Sequence, residues 1–402
     1  MTRSFYILFN FVLSVVFLSS VWADDNKEPI VIGMSAAFSG QSKDLGNELH
    51  RGIMTYLDYV NENGGVDGRK VVIKKYDDGY NPIPALRNTL KLMKEDNVLL
   101  LFSYVGTPTV TRVLPLLKLN SSDHFYLYFP FTGAQPQREA PYNDFVFNLR
   151  PSYRDETAGL VKNFINIGKK NISVFYQADA YGRSGWAGVR KELNKHGLNI
   201  TAEATYKRGS EYSDSYKKQV GILKEASTDA VVAIGSYAAC AGFIREARDA
   251  GWNVPIANLS FVGSESLLDL LVQQNKTGGK DHTVNLINSE VVPNYRDTSI
   301  PVVNEYRKLS GINNNSSDND LSFVGLEGFL NAKLLVHVLT VMDGKIERKH
   351  LKQVTESIRD YDIGLPDKIS FGTGKHQALD TVYFNTVKDG KWININNFES
   401  FR

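Results

Sequence analysis

Short apolar runs alternate with amphipathic stretches from Pro29 onward, and this alternation predicts strands followed by helices. Residues 30–34 have the composition of a strand, and residues 47–61 place their apolar side chains along one helical stripe. Residues 98–102 form a fully apolar run, which is typical of a strand buried on both faces. Strand–helix–strand repetition of this kind predicts a parallel sheet covered by helices.

The same rhythm restarts after residue 150. Further strands are predicted at 172–176, 201–206, 230–234 and 255–259, with helices near 184–196, 213–225 and 238–250. A second α/β unit of similar size indicates two lobes rather than one. Later in the chain, the polar tract 311–320 is predicted to be a surface loop, and residues 325–341 a long, largely apolar helix.

The N-terminus has the pattern of a secretory signal peptide. Arg3 precedes a mainly apolar run over 5–18, and small residues stand at Val21 and Ala23 before the sequence becomes acidic. This spacing predicts that residues 1–23 are removed by cleavage after Ala23. A membrane anchor is the alternative, but the apolar run is shorter than the roughly 20 residues that a bilayer requires.

Composition limits the class of protein further. The 402 residues are 42% hydrophobic and 22% charged, which is enough material for two domains with their own cores. A formal net charge of +2 gives no basic surface for nucleic acid, so no nucleic-acid partner is expected. Cys240 is the only cysteine, so no intramolecular disulfide can form and no cysteine near the apolar run can carry a lipid anchor. We expect Cys240 to be a buried small hydrophobe.

A ligand site is expected where the loops leave the carboxyl ends of the strands, because open parallel sheets form their crevices there. These loops span 35–46, 103–108 and 129–135 in the first unit, and 177–184, 235–239 and 260–264 in the second. They are rich in serine, threonine, glycine and tyrosine, whose hydroxyls bind polar groups without titrating. Such loops favour reversible capture of a solute, although ordinary turns use the same residues.

Catalytic motifs do not appear in the sequence. It has no Gly-x-x-x-x-Gly-Lys phosphate loop, no Gly-x-Ser-x-Gly elbow and no zinc-type spacing of histidines and cysteines. Asp77 and Asp78 are adjacent after a predicted strand and point to opposite faces, which favours a structural turn over an acid pair. The sequence therefore predicts neither an enzyme nor a bound cofactor or metal.

An ordered set of short motifs resembles the leucine/isoleucine/valine-binding protein family over nearly the whole chain after the signal peptide. The motifs are IG at 32–33, FSG at 38–40, NGGVDGR at 63–69, YDD at 76–78, GTP at 106–108, PFTGA at 130–134, YQ at 176–177, YG at 181–182, ARDAGW at 247–252 and VVP at 291–293. The resemblance implies a type I periplasmic binding protein, α/β, with two doubly wound parallel-sheet lobes joined by three hinge crossings. It also implies the solute-binding component of an ABC importer, which captures an amino acid or related small carboxylate and has the ABC permease subunits of the inner membrane as partners.

The family's fold implies a division of the chain. It places the signal peptide at 1–23, the first lobe at 29–149 plus 286–362, and the second lobe at 150–285 plus 363–402. The three crossings are expected near 149–151, 282–286 and 362–366.

Family ligand contacts carry over unevenly to this sequence. The pocket for a carboxylate maps to Gly106 and Thr107 and to 131–133, with Thr107 as the candidate hydroxyl because the family's serine falls on Gly106. The aromatic wall maps to Tyr181 and Tyr237, whereas an aromatic of the first lobe falls on Leu45. The full set of predicted ligand-binding residues is Tyr104, Gly106, Thr107, Phe131, Thr132, Gly133, Tyr181, Tyr237 and Ser260.

Ser260 is the most consequential departure, because it stands where the family has the acid that holds a ligand's α-ammonium. Burying an ammonium without a carboxylate costs on the order of several kcal/mol. We therefore hypothesise that the ligand is not an α-amino acid or that another acid holds it, such as Asp155 or Glu265.

The aromatic side chains near the expected site would suit a flat or apolar carboxylate. They are Tyr104, Phe131, Tyr153, Tyr181 and Tyr237. For the protein as a whole, the alternative to transport is a sensor whose closed, ligand-bound form docks on a receptor kinase or chemoreceptor.

Overall fold

The computed structural model of the chain describes residues 27–311 and 321–402, apart from the side chains of 274–278. The predicted signal peptide at 1–23 and residues 312–320 of the predicted surface loop lie outside the described residues.

Five parallel strands form the sheet of the first lobe within the described residues, in the spatial order β2-β1-β3-β4-β5. The strands are β1 (Ile30–Ala36), β2 (Val71–Asp77), β3 (Leu101–Phe102), β4 (Leu127–Tyr128) and β5 (Val146–Phe147). The connecting helices are α1 (Lys43–Glu62), α2 (Pro82–Lys94) and α3 (Thr107–Leu119). The interior strand β1 is almost wholly buried, as its apolar composition predicts.

The second lobe has a seven-stranded sheet, counted over the same described ranges, in the order β12-β11-β10-β9-β8-β6-β7. The strands are β6 (Ile172–Gln177), β7 (Glu203–Tyr206), β8 (Ala230–Ile234), β9 (Ile256–Asn258), β10 (Leu286–Glu290), β11 (Tyr383–Lys388) and β12 (Lys391–Ile395). The last two are antiparallel, an edge that the sequence analysis did not predict on this otherwise parallel sheet. Asp389 and Gly390 both have positive φ, which suits the tight two-residue turn of such a hairpin.

Helices cover both sheets. Those of the second lobe are α4 (Tyr153–Asn166), α5 (Ala180–Lys195), α6 (Lys217–Glu225), α7 (Tyr237–Asp249) and α8 (Ser264–Gly278). The chain then returns to the first lobe with α9 (Pro301–Leu309), α10 (Phe323–Val341) and α11 (Arg348–Ser357). Helix α10 is long and apolar enough to cross a membrane, but 78% of its most apolar stretch is buried against the rest of the protein. It is therefore a helix of the first lobe's core.

The second crossing between the lobes lies later than the sequence predicts. Strand β10 pairs with β9 and β11, so residues 286–290 belong to the second sheet. The boundary predicted at residue 286 is therefore wrong, and the crossing follows Glu290. The physical reason is that this buried strand completes the hydrogen bonds of β9, which a boundary before it would leave open.

The third crossing also lies later than the predicted 362–366. The Phe371 ring packs 5.6 Å from Phe147, and the His376 ring stacks 4.1 Å from the same phenylalanine. The Ala378 N–H then donates to the Asn148 carbonyl at 2.9 Å, alongside the first crossing. Residues 363–376 thus stay with the first lobe, because they bury aromatic surface against its sheet, and the chain crosses after His376.

Glycines allow α1 and α10 to pack backbone to backbone. A Cβ added to Gly52 would lie 1.8 Å from the Gly325 carbonyl oxygen, and one added to Gly328 would lie 2.2 Å from the Leu49 carbonyl oxygen. These backbone carbonyls cannot move aside as the end of a flexible side chain could. The core of the first lobe therefore depends on small residues at this crossing of helices.

We predict that Gly52→Ala lowers the free energy of unfolding by about 1 to 3 kcal/mol, because the two helices must separate to admit the methyl group. Gly221→Ala is the matched control, since nothing lies within 4 Å of a Cβ at that position in α6. It should leave stability unchanged or raise it by about 0.5 to 1 kcal/mol. Urea unfolding measures both, and equal stability of the two variants would contradict the close packing.

Candidate ligand site between the lobes

Five aromatic side chains meet in the gap between the lobes, and we call them the ring cluster: Tyr80, Phe131, Tyr153, Tyr181 and Phe261. The Phe261 ring centroid lies 4.7 Å from Tyr181, 5.3 Å from Phe131 and 5.7 Å from Tyr80. Tyr153 and Tyr181 are 5.1 Å apart. These are favourable separations for tilted aromatic pairs. All five side chains are buried, so the two lobes are closed on each other.

The turn after β2 places Tyr80 in this cluster. Asp78 accepts hydrogen bonds from the Ser35 hydroxyl at 2.7 Å and from the Tyr80 N–H at 2.8 Å, while Asp77 accepts from the Phe38 N–H at 2.8 Å. The two aspartates thus form a structural turn, which confirms the prediction. Gly106 makes room for the ring, because a Cβ there would lie 2.1 Å from Tyr80.

Hydroxyl groups gather beside the ring cluster. The Thr107 and Thr132 hydroxyl oxygens are 2.7 Å apart, at the start of α3 and in the loop after β4. Burial raises the pKa of Tyr153, while Arg150 and the nearby hydroxyls of Thr132 and Thr107 oppose the shift. The Tyr153 N–H also donates to the Gly133 carbonyl at 2.7 Å. Two loops of the first lobe therefore meet the first turn of α4 at one point.

Arg150 lies at the first crossing and is 2% exposed. Its guanidinium carbon lies 4.9 Å from the Phe131 ring centroid and 5.9 Å from that of Tyr153. Nη2 contacts the Ser260 hydroxyl and lies 3.3 Å from Glu156 on α4. Nη1 lies 3.4 Å from Glu327 on α10, so the arginine pairs with carboxylates of both lobes. Among residues 27–311 and 321–402, Nε and Nη1 have no hydrogen-bond partner.

Several carboxyls around the crossings hold their protons more tightly than usual. Burial raises the pKa of Glu327 to about 7 and that of Glu265 to about 8, and it raises the pKa of Glu290 as well. Burial opposes the charge of Arg150, but Glu327 and Glu156 together raise its pKa. Within the described ranges, no group of three or more histidine, cysteine, aspartate or glutamate side chains could hold a metal ion.

The structure brings together most of the residues predicted to bind ligand. Two of them, Phe131 and Tyr181, belong to the ring cluster. Three more lie beside it: Thr107, Thr132 and Gly133. Ser260 lies one residue before Phe261, in contact with Arg150.

Two predicted residues lie elsewhere. Tyr104 points into the core of the first lobe, where its hydroxyl is 3.0 Å from that of Thr89, so the prediction that its side chain faces the ligand is wrong. Tyr237 lies at the rim, where its hydroxyl accepts from the Asp44 N–H of the other lobe at 3.4 Å.

Neither acid proposed to replace the missing one contacts Ser260. Asp155 forms a capping box with Ser152 at the start of α4, and Glu265 is buried beside Tyr295. Glu156 contacts Ser260 instead, accepting from its N–H at 2.8 Å and from its hydroxyl at 3.0 Å. The sequence analysis missed this carboxylate.

Four more residues of the site were missed: Tyr80, Arg150, Phe261 and Glu327. Two of these gave a usable signal, since Arg150 stands in the predicted crossing and Phe261 follows Ser260. Tyr80 and Glu327 gave none, because the turn after β2 and the packing of α10 bring them in.

A family model described as "Periplasmic binding protein" matches residues 29–391. The chain belongs to this periplasmic binding protein family. It is similar to periplasmic binding proteins of the Leu/Ile/Val-binding type, and the proteins of this family bind solutes rather than catalyse reactions.

Named relatives agree with this membership. The Leu/Ile/Val-binding protein homolog 3 of Brucella melitensis is 26% identical over 245 residues, which are 60% of this chain and 62% of that protein. A possible leucine/isoleucine/valine-binding protein from Rhodopirellula baltica is 28% identical with a TM-score of 0.82, covering 94% of this chain and 98% of that one. A substrate-binding periplasmic protein from Ralstonia solanacearum is 27% identical with a TM-score of 0.81, covering 91% and 100%.

We predict that Glu265→Gln stabilises the protein at pH 8. The folded state keeps the Glu265 proton up to about pH 8, whereas the unfolded chain releases it near 4.5. The contribution of the Glu265 carboxyl to the free energy of unfolding is therefore fully present below pH 4.5 and is lost as the pH rises toward 8. The amide removes this loss, and the gain at pH 8 should be on the order of a few kcal/mol.

Thermal unfolding of wild type and variant between pH 5 and 8 measures this effect. The control is Glu225→Gln, an exposed position on α6, which should follow the wild-type curve. If the unfolding temperatures of wild type and Glu265→Gln changed with pH in parallel, Glu265 would not be a carboxyl that keeps its proton in the folded state.

Proposed function

We propose that this protein is the solute-binding component of an ABC importer and captures an amino acid or related small carboxylate between its lobes. The observation that carries the proposal is the pair of hydroxyls of Thr107 and Thr132, 2.7 Å apart at the edge of a closed ring cluster. Hydroxyls donate to a carboxylate, and aromatic faces cover an apolar body. The names of the relatives, which refer to leucine, isoleucine and valine, support this class of ligand.

The closed arrangement supports capture by hinge motion. The Gln177 amide donates to the Tyr80 hydroxyl at 3.3 Å, the Ser266 hydroxyl donates to Asp44 at 3.2 Å, and the Gln41 amide donates to Glu211 at 3.1 Å. Each of these bonds joins one lobe to the other and is available only when the gap is shut. A solute that contacts both lobes shifts the population toward this closed form.

Delivery completes the proposed role. Cleavage after Ala23 would release the protein into the periplasm, and the closed form would dock on the permease subunits in the inner membrane. The single cysteine, Cys240, is buried in α7, where burial raises its pKa.

A screen of purified protein against amino acids and small carboxylates tests the function. A ligand present at 100 times its Kd should stabilise the protein by about 2.7 kcal/mol, seen as a higher unfolding temperature. Small-angle scattering with the same ligand should show a smaller radius of gyration. The proposal fails when no member of either series changes the melting temperature or the scattering curve.

We predict that Thr107→Val weakens binding of the ligand found in this screen by about 10- to 100-fold, because one donor to the carboxylate is lost. Thr111→Val is the control on the same helix. The Thr111 hydroxyl already donates to a carbonyl of its own helix, that of Thr107, at 2.7 Å, so it is not expected to bind the ligand. Isothermal titration calorimetry measures both. Equal affinities would remove Thr107 from the site.

A further inference from the structure

The guanidinium of Arg150 has hydrogen-bonding capacity that the protein leaves unused. The side chain is 2% exposed, yet its Nε and Nη1 have no hydrogen-bond partner in the part of the chain that the structure describes. Buried polar groups in folded proteins are nearly always paired. Donors of this kind beside a ligand site indicate an acceptor that the ligand itself brings.

The neighbouring carboxylates do not supply that acceptor. Glu156 already accepts from the Ser260 N–H at 2.8 Å, from the Ser260 hydroxyl at 3.0 Å and from the Ser289 hydroxyl at 2.7 Å. Glu327 is 3.4 Å from Nη1 and pairs with its charge, but this contact does not have the geometry of a hydrogen bond. The guanidinium therefore balances its charge on both lobes and keeps two donor nitrogens, Nε and Nη1, without an acceptor among the described residues.

These donors lie next to the hydroxyl pair. Arg150 stands over the rings of Phe131 and Tyr153, and the hydroxyls of Thr107 and Thr132 lie near the Tyr153 hydroxyl. A carboxylate in the gap can thus meet threonine hydroxyls on one side and a guanidinium on the other. An ammonium on the adjacent carbon would lie near the same guanidinium and be repelled by it.

We propose that Arg150 determines specificity by binding the solute's acidic group directly, so that the site prefers carboxylates lacking an α-ammonium over the matching amino acids. The inference rests on the proposed function and deepens it. The charged groups that face Arg150 are Glu156 of α4, Glu327 of α10, Glu290 at the end of β10 and Arg138. Glu156 and Glu327 already pair with Arg150, and burial raises the pKa of Glu290 and so favours its neutral form, so an ammonium would find none of these carboxylates unpaired.

Matched ligand pairs test this preference in the wild-type protein. Calorimetry at pH 7 compares phenylalanine with 3-phenylpropanoate, and leucine with 4-methylpentanoate. We expect the acid without the amino group to bind at least about 10-fold more tightly in the pair that fits. Equal or tighter binding of the amino acid overturns the inference but leaves the proposed function standing. Absence of binding by all four compounds overturns the inference and counts against the proposed function as well.

Substitution of Arg150 tests whether this residue causes the preference for acids without an amino group. Arg150→Gln should weaken binding of the preferred acid by at least about 100-fold and abolish the difference within the pair. Arg190→Gln, an exposed arginine on α5, is the control and should bind as wild type does. A folded Arg150→Gln protein with wild-type affinity overturns the inference.

Glu327→Gln keeps the inference testable if Arg150→Gln does not fold. It removes a negative charge beside Arg150, so it should weaken amino-acid binding further while leaving the preferred acid bound at least as tightly. Weaker binding of the acid, with the amino acid unchanged, is the contrary result.

Discussion

A buried cation at the junction of the lobes constrains everything around it. Arg150 is almost fully enclosed, and a charge in that position is tolerable only when carboxylates pair with it. Glu156 comes from the second lobe and Glu327 from the first, so the pairing is complete only when both lobes are in place. The rings of Phe131 and Tyr153 pack against the same guanidinium. The need to pair the charge of Arg150 therefore also sets the positions of the rings in the gap.

A second arginine extends the constraint to the backbone. Arg138 donates to the carbonyls of Ala134 at 3.1 Å and Arg150 at 2.9 Å, and to the side chain of Gln377 at 2.8 Å. One side chain thus ties the loop that carries Thr132 to the first and third crossings. Movement at the hinge and the shape of the ligand loop are therefore coupled through a single planar group, whose donors are rigidly arranged.

The groups that line the gap suit binding of a solute rather than catalysis. Phenols, hydroxyls and an arginine line the gap, and these groups keep one charge state across the physiological range. The buried carboxyls nearby are either paired, as Glu156 is, or hold protons because water is excluded, as Glu265 does. Such an arrangement recognises a solute by charge and shape and gives it no strong base or nucleophile.

Periodicity along the chain determined the two α/β units, since alternation of apolar strands and amphipathic helices is local and survives in the sequence. It could not place β10, β11 and β12, because β10 pairs with β11 from a distant part of the chain and the last two strands form an antiparallel edge. Motif order determined the loops that carry Thr107, Phe131 and Tyr181. Only the tertiary structure turned Tyr104 into the core and brought Tyr80, Phe261 and Glu327 to Arg150. Which face a side chain takes, and which charge it meets there, depends on packing between distant segments, and no local pattern records it.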